Sequence, residues 1–152
     1  MPSNYLQIAQ EIGRYLSLVE GAGRVHLFKR PIRELARLKE LMFDSTQDRI
    51  CGWIISREAP IKEDELTNED NLRISTFVMR GYYSFLDEKE TELAFQQLID
   101  DVFDAFRPSD DLNGTCEKTY PVQAREISHI EIGTVVCHYC ELTLDVQELI
   151  HN

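Results

Sequence analysis

Long apolar runs are missing from this sequence. The longest extend over only a few residues, whereas a helix that spans a bilayer needs roughly 20, so no transmembrane helix is expected. A basic excess is missing too. Sixteen Lys and Arg stand against 27 Asp and Glu, a net charge of -11. That balance argues against direct nucleic-acid binding, which is driven by cations displacing phosphate counterions, and against an anionic membrane surface. The opening residues, MPSNYLQIAQEIGRY, show neither a basic n-region nor a continuous apolar h-region. No secretory signal is expected there, and free thiols in a reducing compartment are. Internal repeats and low-complexity segments are absent. The stretch GAGR at 21–24 follows a helical pattern rather than a strand, so it is not a phosphate-binding loop.

What is present describes one globular domain. Apolar residues make up 43% and charged residues 28% of the chain, the balance of a folded soluble protein. Its 152 residues are enough to bury roughly 70% of the unfolded surface in a single core over 1–152. Charge is distributed unevenly. Residues 1–58 hold 9 Lys/Arg and 7 Asp/Glu, whereas residues 59–152 hold 7 and 20, so the halves carry +2 and -13. Arg24, Lys29, Arg30, Arg33, Arg37 and Lys39 are opposed over sixteen residues by Glu34 alone. Such a run usually solvates a helix face. Its sharper reading is a basic face that docks on the acidic face of another copy.

Periodicity orders the elements. Ser3 is a candidate cap for a helix whose Tyr5, Ile8, Ile12, Tyr15, Leu16 and Val19 share one stripe, ended by Gly21 and Gly23. A short strand is expected over 24–28, stopped by Pro31, then a helix over 32–42 and a turn at DSTQD, 44–48. Ile50, Trp53, Ile54 and Ile55 predict a buried strand over 49–56. Residues 59–72, APIKEDELTNEDNL, are acidic and aperiodic and predict an exposed loop. A long strand follows over 73–85, then the strongest helix signal. It opens at the Asp87–Glu90 capping-box spacing, carries Leu98, Val102 and Phe106 on its apolar face, and stops at Pro108. Two strands, 122–132 and 134–146, flank Gly133, and Leu149 and Ile150 either lengthen the sheet or pack beneath it. Together these give an α+β fold: a mostly antiparallel sheet with two or three helices packed on one face.

Four cysteines and four histidines raise the question of a site. Cys137 and Cys140 have metal-knuckle spacing, but no turn former lies between Gly133 and Val146. In a strand, successive side chains point to opposite faces, so the two thiols cannot meet on one ion. Cys51 and Cys116 provide no second pair. A dithiol redox motif would need a helix N-terminus, and His138, sharing its strand face with Leu142 and Leu144, reads as a hydrogen-bonded core histidine. SDDLNG, 109–114, lacks the first carboxylate and the final bidentate Glu of a calcium loop. Asp100, Asp101 and Asp104 mostly avoid the apolar stripe of their helix and read as a solvated face. No catalytic group, metal, cofactor or small-molecule substrate is therefore expected.

The N-terminal amphipathic helix, the strand RISTFVMRGYYSF, the helix DEKETELAFQQLIDDVFDAF, the polar loop and the closing EISHIEIGTVVCHYCELTLDV follow one another in an order that resembles the tail terminator (minor tail, tail completion) proteins of tailed bacteriophages and prophages. The likeness covers about residues 3–148. It implies a structural α+β subunit that self-associates into a ring, usually a hexamer, capping the tail tube and meeting head-completion proteins. It also implies a virion location, with assembly in the bacterial host cytoplasm. The candidate subunit contacts are Arg30, Arg33 and Arg37 on one side and Glu63, Asp64 and Glu65 on the other. The alternative from another class is an unrelated α+β protein-binding or regulatory module, with Trp53, Tyr82 and Tyr83 as anchors.

Overall fold

A computed structural model describes residues 4–85, 90–107 and 111–151. Its frame is three long strands, β3 (Arg49–Glu65), β4 (Asp70–Ser84) and β7 (Val135–His151), joined antiparallel. Trp53 lies opposite Gly81, which lies opposite Cys140, and Phe77 lies opposite Leu144. Short strands finish the sheet. β1 (Arg24–His26) runs parallel to β3, and β2 (Phe43–Asp44) pairs with β3 antiparallel. On the other edge β5 (Lys118–Thr119) and β6 (Gln123–Ile132) both pair with β7. The sheet is thus mostly antiparallel in an α+β chain, as the element order predicts.

Helix α1 (Tyr5–Ser17) buries Ile8, Ala9, Ile12, Gly13 and Leu16, the stripe expected of a 3.6-residue period. Helix α3 (Thr91–Ala105) does the same with Phe95, Leu98, Ile99 and Val102. Both lie on the sheet face that presents Cys51, Trp53, Ile55, Phe77, Met79, Cys140, Leu142 and Leu144. Each fully buried aliphatic side chain here contributes about 1.5–3 kcal/mol of transfer free energy. Helix α2 (Leu35–Met42) departs from the expected gathering on one face. Its Leu38, Leu41 and Met42 pack with Ile50, Ile54, Ile132 and Cys137, the residues of opposite parity, on the other face. Gly52 permits that approach, since a Cβ there would stand 2.4 Å from the Met42 sulfur.

Several expected boundaries move. The first strand is three residues, and α2 begins at Leu35, after Glu34 in an extended conformation. Leu149 and Ile150 lengthen β7. Ser3, Asp87 and Pro108, expected as helix cap, capping-box residue and helix stop, lie outside the described residues.

The largest correction concerns 59–72. Residues 59–69 are exposed, but they form a hairpin rather than a loop. Ile61–Glu65 pair with Asn71–Ser75, and Asp70–Ser75 pair with Val146–His151. Backbone pairing overrides the poor strand propensity of Lys, Glu and Asp. Glu63 accepts hydrogen bonds from Asn71 (3.0 Å) and Arg73 (2.8 Å) across the ladder. The turn is closed by the amides of Leu66 and Thr67 donating to the Asp70 carbonyl, and by Thr67 Oγ1 accepting from the amides of Glu69 and Asp70.

Candidate functional site

The Cys-His-x-Cys stretch resolves into register. Cys137 belongs to the cluster under α2 and Cys140 to the cluster under α1 and α3, so the sheet lies between their thiols. None of the four cysteines forms a disulfide. Burial pushes the Cys51 and Cys140 thiols up to about 12 and Cys137 up to about 11. They are protonated, inert groups. Among the described residues no three His, Cys, Asp or Glu side chains are placed to share a metal ion.

His138 sits in a box that sequence could not supply. Its ring lies 4.7 Å from Phe85, 5.3 Å from Phe95 and 6.3 Å from Tyr83. Nε2 meets Thr91 Oγ1 at 2.9 Å, and Nδ1 lies 3.4 Å from the exposed Glu92 carboxylate. The order Thr, His, Glu has the outline of a nucleophile relay. The Thr91 hydroxyl, however, is on a residue 1% exposed and faces the core. Burial lowers the His138 pKa below its ordinary value; Glu92 opposes that shift, and His129 and Arg49 add to it. A neutral imidazole pinning the first turn of α3 is a structural part, in line with the expected core histidine.

On the opposite face four strands contribute one charge each to a closed network. Glu58 (β3) pairs with Arg80 (β4), and Arg80 lies 3.5 Å from Glu141 (β7). Glu141 is 2.7 Å from Arg125 (β6), which returns to Glu58 at 3.5 Å. Lys29 reaches Glu58 at 3.7 Å, and Tyr139 donates to Glu141 at 2.5 Å. Hydrogen bonding from Arg80 holds the Glu58 carboxyl down at about 2, burial opposing and the nearby Arg80 and Lys29 charges assisting. Burial would raise Glu141, but hydrogen bonds from Tyr139 and Arg125 outweigh it, and its pKa is lowered. Arg80 and Arg125 each lie between the same two carboxylates, Glu58 and Glu141, so the four charges are paired among themselves.

Two further surfaces bear clustered charge that lacks ion pairs among the described residues. The first is the hairpin arm, where Asp64, Glu65 and Glu69 are exposed and have no ion pair among the described residues, while Leu66 at its tip is 55% exposed. Glu63 and Asp70 are held within the arm's own end of the sheet, by Arg73 and by His151 at 2.5 Å. The second surface surrounds the start of α2. Arg33 is exposed without an ion pair among the described residues, Arg37 touches Glu40 at 3.1 Å, and Arg30 lies over the Phe28 ring at 5.0 Å. Arg33, Glu34, Arg37 and Pro31 line a cavity of about 400 Å³.

These surfaces lie at opposite ends of the sheet. The arm is at the end where Asp70 pairs with His151, whereas Leu35 sits over Gly133, beside the start of β7. Seventeen residues of β7, at about 3.3 Å each, span roughly 55 Å between them. The six residues expected as subunit contacts therefore form two groups that do not meet within one chain. Sequence separated them by sign; only pairing of the arm with β4 and β7 separates them in space.

A larger cavity of about 760 Å³ lies beside the N-terminal end of α1, lined by Asn4, Arg73, Thr115, Glu117, Glu148 and His151. Both signs of charge line it. Burial raises the pKa of the Glu148 carboxyl, with Arg73 and Arg57 opposing. Among the described residues no helix is long and apolar enough to cross a membrane. No protein-family model matches this chain, and a comparison with curated proteins finds no match.

Proposed function

We propose that the protein is a non-enzymatic assembly subunit that associates with copies of itself, on the plan of a tail terminator ring that caps a tail tube and offers its other side to head-completion proteins in a virion. The observation that carries this reading is the placement of unsatisfied acid on a projecting hairpin and unsatisfied base at the far end of the same sheet. One chain cannot bring the two together. Complementary patches at opposite ends make a heterologous contact, which closes into a ring when the rotation between copies is a simple fraction of a turn and runs on as a filament when it is not. The half-buried charge network and the histidine box stiffen the body that holds the patches apart.

Electron microscopy of negatively stained protein, prepared at low ionic strength and high concentration, tests the reading. Closed rings of uniform size are expected. Single compact particles, or only open filaments, would contradict it.

A second reading, a module that docks an unrelated protein, has one observation in its favour. Tyr15, Leu18, Val19 and Ala105 form a groove of about 530 Å³ between α1 and α3, with Leu18 75% exposed. Retention of wild-type self-association by Leu18→Asp would show that this groove serves something other than assembly.

A further inference from the structure

We infer that the arm tip, Asp64, Glu65 and Leu66, of one copy seats in the cavity formed by Pro31, Arg33, Glu34 and Arg37 of a second copy. The inference rests on the assembly reading above and names its contact. Shape, charge and chemistry agree. A hairpin turn is narrow and projects, and its leucine is 55% exposed. The recipient cavity, about 400 Å³, takes a leucine side chain, and the carboxylates of Asp64 and Glu65, which point to opposite faces of the strand, flank it toward the rim. Its rim holds two guanidinium groups. Arg33 has no ion pair among the described residues, and Arg37 shares one exposed carboxylate, Glu40. Arginine forks pair with carboxylates in two-pronged geometry.

One like charge, Glu34, also lines the cavity. Lys62 lies two residues before Asp64, hence on the same face of the hairpin, and is the arm's own partner for it. The contact then pairs acid with base in both directions, which fixes register as well as attraction. The arm supports such a load because it is a paired ladder on both sides of β4, with Arg73 clamping Glu63 at 2.8 Å. A free loop would lose far more conformational entropy on docking.

Reciprocal charge reversal tests the contact, with particle mass read by mass photometry and sedimentation at low ionic strength and folding checked by circular dichroism. Asp64→Lys with Glu65→Lys makes the arm basic; Arg33→Glu with Arg37→Glu makes the seat acidic. Each double variant alone sets like charges against each other, and its association is expected to weaken roughly tenfold or more, about 1.4 kcal/mol per factor of ten. An equal mixture of the two restores acid against base at every contact, so assemblies of alternating copies are expected, and the chain carrying all four substitutions reassembles alone. Wild-type assembly by either double variant would overturn this contact while leaving self-association standing, as would a folded quadruple variant that stays dissociated. A wild-type chain that never associates would overturn the assembly reading itself.

Discussion

Replacing Glu58 by Gln removes one corner of the four-strand charge network while keeping its size and a hydrogen-bonding oxygen. In the folded protein its carboxyl titrates near 2, against 4.5 for the free group. A difference of about 2.5 units at 1.36 kcal/mol each sets a ceiling of about 3 kcal/mol. The side chain keeps 21% of its exposure, and solvent screens a pair so placed, so the working expectation is about 1–2 kcal/mol. The sign follows from proton binding. A carboxyl whose folded pKa is depressed contributes stability that is complete above the unfolded value of 4.5 and is lost as pH falls through the folded value near 2. Urea denaturation of wild type and Glu58→Gln from pH 7 to pH 2 reads this directly. The variant is expected to be less stable by about 1–2 kcal/mol at pH 7, with the gap closing between pH 4.5 and 2. Glu126→Gln serves as a control, since that exposed carboxylate accepts from Ser128 Oγ and has no ion pair among the described residues. A gap that is constant with pH, or equal losses in both variants, would refute the assignment of stability to the network.

Three further outcomes are expected. The depressed pKa of His138 means that its contribution to stability is complete above the unfolded value of 6.5 and is lost as pH falls below it, because the unfolded chain then binds the proton that the box excludes; denaturation midpoints of His138→Asn should lack that fall, and an unchanged profile would count against the buried neutral imidazole. Gly81→Val places a Cβ 2.8 Å from the Trp53 ring and 3.0 Å from the Cys140 sulfur, an overpacking expected to cost about 1–3 kcal/mol in urea denaturation; a neutral effect would mean that Trp53 does not lie over that strand. Native protein treated with a thiol reagent at pH 8 is expected to react first at half-buried Cys116, with Cys51, Cys137 and Cys140 released only on unfolding; rapid modification of Cys137 or Cys140, mapped by mass spectrometry, would contradict the strand register.

Where local pattern and tertiary structure agree, the fold was legible in the sequence. Ile8, Ile12 and Leu16 mark α1, Leu98, Val102 and Phe106 mark α3, and the alternation through Cys140, Leu142 and Leu144 marks β7 with its buried face. Two features were not legible, for physical reasons. Residues 61–65 read as loop because Lys, Glu and Asp carry little strand propensity, and their ladder is supplied by β4, a partner no local window contains. The face chosen by α2 was equally hidden. Leu38 and Met42 declare an apolar stripe, but whether it meets Cys51 and Trp53 or Ile50 and Ile54 depends on the path of the chain between β1 and α2. Of the candidate contacts, their chemistry was readable and their geometry was not. Arg33, Asp64 and Glu65 keep free charges among the described residues, whereas Glu63 and Arg30 are engaged by Arg73 and Phe28 of their own chain. The network of Glu58, Arg80, Glu141 and Arg125 left no trace at all, since its members come from four strands and are joined only by register.

Self-association driven by opposite charge is the central claim, and sedimentation velocity of the wild-type chain across a salt series tests it most directly. At low ionic strength a discrete species several times the monomer mass is expected, giving way to monomer as the screening length falls from about 30 Å at 0.01 M toward about 3 Å at 1 M salt. A monomer at every salt concentration, or an oligomer indifferent to salt, would contradict it.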